Sequence, residues 1–450
     1  MSTPLLIGLD LGTTSTKACA FDRAGNMVEE CAVAYELLHP AAGAAVQDAA
    51  EILAAAEQAL TNLLAALDRP AGPIGISCAM HGLLLLDEDF QPLGPVITYA
   101  DVRAQTVMDD FSPAQRRELR TATGTPVHPM SPLVKLRWLR REDPDRFGKA
   151  AYFGDLKSYL VANWTNDGLL LDKQLASATG LWSRAENDWH LPALEMALDG
   201  EETNRLPRVV DPRRQLRWKP AVAERIGAAD LPLVIGGSDG CLANLGSELL
   251  EPGEVAITVG TSAAVRVTHR GQRANGEHRL FDYVLYDDLR VLGGATNNGG
   301  KAIEWVYDLL RGHFDDIGDL VTQALAAEET DIEFRPFLFG ERAPIWDPAA
   351  TASLTGLRGH HAAVDLARAV VLGMTRNLLE ILRQVEAATC PANRLHLSGG
   401  MTRSDAWVRL VEELSGRPAT VVDTPQASAH GAALIAEMAC SEEGAGKAKG

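Results

Sequence analysis

The sequence predicts an α/β protein of two domains, from three observations. Its 450 residues exceed the roughly 250 to 300 at which one hydrophobic core stops growing. Short apolar runs alternate with amphipathic helical stretches along the chain, the pattern of helices laid on sheets. An apolar run followed by glycine, aspartate and glycine opens the chain (Leu5–Gly12) and recurs at Leu233–Gly240. The expected division is therefore residues 1–231 and 232–440, followed by a small, polar, glycine-rich tail at 441–450 that should be disordered.

Taken in order, Leu5–Leu9 reads as a buried strand, Lys17–Asp22 as its hairpin partner and Met27–Glu36 as a third strand after the turn Arg23–Asn26. Glu51–Leu67 places Ile52, Leu53, Ala56, Leu60, Leu63, Leu64 and Leu67 at helical spacing, and the strand Ile74–Ser77 follows. Between residues 112 and 230, prolines such as Pro129, Pro132, Pro144 and Pro192 break up short helical stretches like Lys157–Trp164, as in inserted, substrate-shaping material. The second half then supplies strands near Val255–Val259, Ala264–Thr268 and Val291–Gly293, helices near Lys301–Arg311 and His361–Ala387, and a strand and helix series from Arg394 to Met438.

Composition removes several function classes. Hydrophobic residues at 46% and charged residues at 23% are ordinary globular values, so the bulk of the chain should fold. A formal charge of −18 repels phosphodiester backbones and anionic lipid, which argues against nucleic-acid and membrane partners. Six scattered cysteines without a C-x-x-C pair argue against a zinc site or a disulfide framework. With neither a signal-like N-terminus nor a long apolar run, a cytoplasmic enzyme is expected.

The chemistry concentrates in two glycine turns. In Gly8–Lys17 a strand ends in glycines, hydroxyl residues, an aspartate and a lysine. Glycines let backbone N–H groups approach phosphate oxygens, hydroxyls add donors and Lys17 adds charge. Asp10 at the strand end can hold Mg²⁺, usually through water. This is not a P-loop, because the nearest approach, around Gly294–Lys301, has Ala295 and Ala302 at defining positions. The second grip is Gly236–Gly240 followed by Val259–Ala263. Phosphoryl transfer to an alcohol needs a carboxylate to take the hydroxyl proton, and Asp239, the echo of Asp10, is the candidate base. Asp10 and Asp239 are the candidate metal-holding pair. A strand-hairpin grip repeated in two halves resembles the actin-like ATPase (ribonuclease H-like) architecture, which implies a catalytic cleft between two domains.

Nearly the whole chain resembles the FGGY carbohydrate kinases. Met130, Pro132, Lys135, Leu136, Trp138, Leu139, Arg141 and Glu142 are similar to the family's first signature. Ala352–Val371 is similar to the second, departing at its last position, where Leu372 stands. The resemblance implies ATP and Mg²⁺ as cofactors. It implies phosphate contacts from Gly12, Thr13, Thr14 and Lys17 on one side and from Gly260, Thr261 and Gly300 on the other. It also implies an adenosine turn at Gly399, Gly400 and Ser404, where family members often carry Asn in place of Ser404. Sugar contacts would come from Met80, His81, Tyr99, Arg103, His128 and Asp239, with Tyr99 standing where the family has Trp.

Gly124–Met130, Ala176–Leu181 and Phe339–Trp346 are most similar to gluconate-phosphorylating members, and Ala79–Gly82 is shared with xylulose-phosphorylating ones. Glycerol is disfavoured, because glycerol kinases place Arg-Glu at that segment. A sugar-acid substrate would need a donor for its carboxylate, with Arg103, His128 and Lys173 as candidates. The readings left open are a gluconate kinase, a pentulose or other polyol kinase of the same family and, from a different class, a non-metabolic actin-like ATPase or a sugar sensor. The expected partner is a small sugar or sugar acid, with a homodimer allowed for.

Overall fold

The computed structural model describes residues 3–198, 200, 203–271 and 279–447. The chain forms two compact units. Unit 1 comprises Met1–Glu248, Tyr283–Arg290 and Thr424–Gly450, and unit 2 comprises Leu249–Asp282 and Val291–Asp423.

Unit 1 is built on a six-stranded sheet. β1 (Leu5–Leu11), β2 (Ser15–Phe21) and β3 (Met27–Ala34) form the expected antiparallel meander. Helix α1 (Ala49–Ala66) is started by Asp48, whose side chain accepts from the Ala50 and Glu51 amides. It buries Ile52, Ala56, Ala59, Leu60 and Leu63 and leads into β4 (Ala71–Cys78), parallel to β1. The proline-broken segment supplies short helices, among them α2 (Pro132–Glu142), α3 (Leu156–Trp164) and α4 (Lys173–Ser177). β5 (Leu233–Ser238) then joins β4 in parallel and runs into α5 (Asp239–Gly246). From edge to edge the order is Gln215–Leu216, β5, β4, β1, β2, β3. Leu11 and Ser238 both pair with Cys78, so the three parallel strands end at one edge. That carboxyl edge is where open α/β sheets bind ligands.

The C-terminal helix (Ala427–Lys447) lies against this sheet and against α5 with almost no spacing. A Cβ on Gly8 would fall 1.9 Å from the Ala429 carbonyl oxygen, and one on Gly75 would fall 1.9 Å from that of Ala432. On the helix side, a Cβ on Gly431 would fall 2.1 Å from the Leu242 carbonyl oxygen. Gly8 is thus a packing glycine within β1 rather than part of the phosphate turn, and only Gly12 of that pair lies at the strand end. The helix also replaces the expected disordered tail over 441–447, while 448–450 lie outside the described residues. The break falls after residue 248 rather than 231, because parallel pairing to β4 holds β5 in the first sheet.

Unit 2 repeats the plan. β6 (Glu254–Val259) pairs antiparallel with β7 (Ala263–Arg270), and the sheet continues on that side with β9 (Leu289–Thr296) and β8 (Phe281–Tyr286), of which residues 283–290 are counted in unit 1. Helices α6 (Gly300–Leu309) and α7 (Ala363–Ala388) precede β10 (Arg394–Gly399), which is parallel to β6. Helix α8 (Asp405–Ser415) connects it to β11 (Ala419–Val421), parallel in turn to β10. In each unit one central strand has its hairpin partner on one side and parallel strands on the other, as the sequence repeat predicts. None of the six cysteines, all of them among the described residues, forms a disulfide. Among the described residues no helix is long and apolar enough to cross a membrane.

Candidate active site

In unit 1 the site grows from the end of β1. Asp10 sits opposite Lys17 in the antiparallel register and opposite Ser77 in the parallel one, so all three side chains share a sheet face. Ser77 Oγ donates to Asp10 Oδ1 at 2.6 Å. Burial pushes the Asp10 carboxyl above its ordinary range, opposed by the Ser77 hydrogen bond and by the charges of Lys17 and Lys157. A divalent cation would return such a carboxyl to its charged form, so Asp10 fits a magnesium-holding role. After β1, the Gly12 carbonyl accepts from the Tyr35 hydroxyl at 2.8 Å and the Thr13 carbonyl from Gln47 Nε2 at 2.7 Å. Tyr35 N also donates to the Thr14 carbonyl at 3.0 Å. The Gly12, Thr13 and Thr14 carbonyls are thus engaged, as is the Gly12 amide, which donates to the Ser15 carbonyl at 3.1 Å, and Thr13 and Thr14 are the candidate anion donors. Lys17 Nζ is held by Gln426 Oε1 at 3.1 Å.

Asp239 follows β5 directly and forms the first turn of α5, where the helix N-terminus favours a carboxylate. Its Oδ1 accepts from the Gly240 amide at 2.8 Å, and its backbone carbonyl accepts from Ser428 Oγ at 3.1 Å. Behind it lies machinery that the sequence reading missed. Lys157 and Asp172, both fully buried, pair at 2.9 Å. The Lys157 ammonium also donates to the Ile76 carbonyl at 3.1 Å and the Gly237 carbonyl at 2.5 Å, tying the ends of β4 and β5 together. Gln174 Oε1 accepts from the Ser238 amide at 2.9 Å while its Nε2 donates to the Leu285 carbonyl at 2.8 Å. The one signal available was a lysine inside the apolar run Leu156–Val161.

Two of the candidate sugar residues, Met80 and His81, form the turn after β4. His81 has φ 65°, a left-handed backbone that non-glycine residues adopt rarely. Its Nδ1 lies 2.8 Å from the Ala178 carbonyl, which can only accept, so Nδ1 carries a proton. Its ring meets Tyr283 edge-on at 5.9 Å. Met80 is half-buried against the hydrophobic core. Two of the three gluconate-like stretches come together here. Thr125 Oγ1 donates to the Ser177 carbonyl at 2.7 Å, and the Leu133 amide donates to the Thr179 carbonyl at 3.1 Å. His128 is buried, with Nδ1 accepting from the Met130 amide at 3.2 Å.

The third stretch, Phe339–Trp346, lies in unit 2, where buried Glu341 accepts from Thr296, Asn298 and Asn377. Arg103, a candidate donor for a carboxylate, is engaged within its own unit. Its guanidinium binds Asp101 through two nitrogens, the shorter contact 2.7 Å, and stacks 4.7 Å over the Trp138 ring. Tyr99 follows Thr98, whose hydroxyl is fixed to the Ala45 carbonyl at 2.8 Å. Lys173 opens α4, next to buried Asp172.

Unit 2 gathers the other predicted residues at its own carboxyl edge. Val259 pairs with Gly399, so the turns after β6 and β10 are neighbours. Gly399 has φ 94°, and a Cβ there would fall 2.3 Å from the Val259 carbonyl oxygen, so only glycine fits. The Gly300 amide donates to the Gly260 carbonyl at 2.7 Å and the Lys301 amide to that of Thr261 at 3.0 Å, seating the start of α6 on the Gly260–Thr261 turn. Gly400 has open space where a side chain would stand, leaving room for a flat group. Ser404 is the N-cap of α8, its Oγ accepting from the Trp407 amide at 3.3 Å.

Comparison with known proteins gives the same picture. The chain matches the FGGY family of carbohydrate kinases, N-terminal domain, over residues 5–246 and the C-terminal domain of that family over 255–440. A gluconokinase of Bacillus subtilis (strain 168) is 32% identical over 457 aligned positions that span 96% of this chain and 87% of the relative. Two solved structures from Lactobacillus acidophilus, one of a gluconate kinase and one of a ligand-bound xylulose kinase, each superpose with a TM-score of 0.91 at 28% identity. Both comparisons cover 98% of this chain and 90% of the other.

Proposed function

The chain belongs to the FGGY family of carbohydrate kinases, and from that premise we propose that it transfers the γ-phosphoryl group of ATP to the C6 hydroxyl of D-gluconate, releasing 6-phosphogluconate and ADP. The observation that carries this reading is the shared carboxyl edge of β1, β4 and β5. Asp10, the Gly12–Thr14 turn, the Met80–His81 turn and Asp239 all lie on it.

Asp239 takes the proton of the hydroxyl as its oxygen attacks the γ-phosphorus, and the bond from phosphorus to the bridging oxygen of ADP breaks. Placement and charge do most of the work in such a transfer. Gly12, Thr13, Thr14 and Lys17 hold phosphate oxygens, as do Gly260, Thr261 and Gly300. Gly399, Gly400 and Ser404 form the adenosine turn. Asp10 and Asp239 would hold Mg²⁺, which would supply charge neutralisation at the phosphates. His81 Nε2 accepts from a sugar hydroxyl. His128, on one of the gluconate-like stretches, is the better candidate for the substrate carboxylate, because Arg103 is engaged by Asp101.

Phosphorus NMR of the product tests the reading. Phosphate on the primary C6 carbon gives a proton-coupled triplet, which is the expected result with gluconate. A doublet, from a secondary carbon, or no phosphoester at all would overturn it. Xylulose is the second reading, favoured by the xylulose kinase structure at a TM-score of 0.91.

A further inference from the structure

Lys135 sits on α2 with its side chain fully buried. Its position belongs to the stretch similar to the first family signature. Its ammonium makes three contacts, all to backbone carbonyls: His81 at 2.6 Å, Ile97 at 3.1 Å and Thr98 at 2.7 Å. An ammonium has three donors and no acceptor, so three carbonyls match its protonated form. A neutral amine would turn a lone pair on one of them. Two of the three carbonyls are already engaged by the backbone, Ile97 by the Leu83 amide at 3.0 Å and Thr98 by the Asp101 amide at 3.2 Å. The backbone around residues 97–98 thus has its own hydrogen bonds besides those from the lysine. What the lysine adds is a tether from α2 to the left-handed His81 and to the residue just before Tyr99.

We propose that Lys135 is a positioning residue for the sugar, holding the His81 turn and the Tyr99 wall at a fixed separation. The proposal rests on the reading of His81 as a sugar contact. It explains how a strained residue keeps its conformation: His81 is fastened at its carbonyl by Lys135 and at its ring by the Ala178 carbonyl. The charges acting on the ammonium are Asp101 and Arg103, whose opposite signs partly cancel, and burial pushes its pKa down to about 7.

The test is a kinetic double-mutant cycle on Lys135→Met and His81→Ala, with folding checked by circular dichroism and thermal melting. Lys135→Met is expected to raise the KM for the sugar roughly tenfold, the equivalent of one lost tethering bond, and to leave the KM for ATP unchanged. In the His81→Ala background the same change should have less than half that effect, because the group it positions is gone. Undiminished effects in the two backgrounds, or an unchanged sugar KM in Lys135→Met, would overturn the proposal. If His81→Ala itself leaves the sugar KM unchanged, the reading of His81 fails instead.

Should Lys135→Met not fold, Lys135→Gln keeps two donors without the charge and should raise the sugar KM by a smaller factor. No change there would equally overturn the proposal. A purely structural lysine would not divide sugar KM from ATP KM. The linkage has its own sign. The folded-state pKa lies below the unfolded one, so the charged form is disfavoured by folding, and wild type should gain stability relative to Lys135→Met as pH rises from about 7 towards 10.

Discussion

Asp239→Asn should lower kcat by about a thousandfold, in the range ascribed to a positioned general base, while gluconate and ATP still bind. Asparagine keeps the oxygen that accepts from the Gly240 amide and keeps the side-chain volume, so α5 should start at the same place. What it loses is the ability to take a proton from the attacking hydroxyl. Steady-state kinetics separate the effects: a collapsed kcat with a gluconate KM within a few-fold of wild type is the expected pattern. An unchanged kcat would remove Asp239 from the role of base.

Lys157→Met should be the most destabilising single change near the site. It leaves Asp172 buried without its partner and strips a donor from the Ile76 and Gly237 carbonyls. Breaking a buried ion pair from one side costs about 3 to 5 kcal/mol, to be read from the urea midpoint. Adding Asp172→Asn removes the stranded charge and preserves the cap that Asp172 makes to the Leu175 amide at 3.0 Å, so stability should largely return.

Activity should not return with it, because the tether that aims the turn before Asp239 is still missing. Lys157 also acts through its charge to lower the pKa of Asp10. Without it the Asp10 carboxyl becomes harder to ionise, and the acid limb of the rate profile should move to higher pH. A double variant with wild-type kcat and an unmoved acid limb would reduce Lys157 to a packing element.

The repeated plan of the two halves and the candidate site residues were legible because both are marked locally. Glycine, aspartate and hydroxyl residues at a strand end advertise a phosphate turn within a few positions, and hydrophobic periodicity marks the strands and helices around it. Three features were not legible, each because it is made by residues far apart in sequence. Gly8 looked like part of the turn, but its constraint comes from the carbonyl of Ala429. The break at 248 depends on β5 pairing with β4 across the inserted segment. Lys135 and Lys157 reach carbonyls up to 54 and 81 positions away, and their neighbours in sequence do not show which groups they reach. Arg103 shows the converse limit: two residues from Asp101 and close to Trp138 in space, it finds both partners within its own unit.

The central claim is that this edge phosphorylates a sugar acid rather than a pentulose. A coupled assay of ADP release over gluconate, xylulose, ribulose and glycerol tests it most directly. The account predicts the highest kcat/KM for gluconate, about tenfold or more above xylulose, as expected of a charge-assisted contact to the carboxylate worth roughly 1.4 kcal/mol or more, with glycerol last. Equal or greater efficiency with xylulose would contradict the sugar-acid assignment, and ATP turnover indifferent to every polyol would contradict the kinase account as a whole.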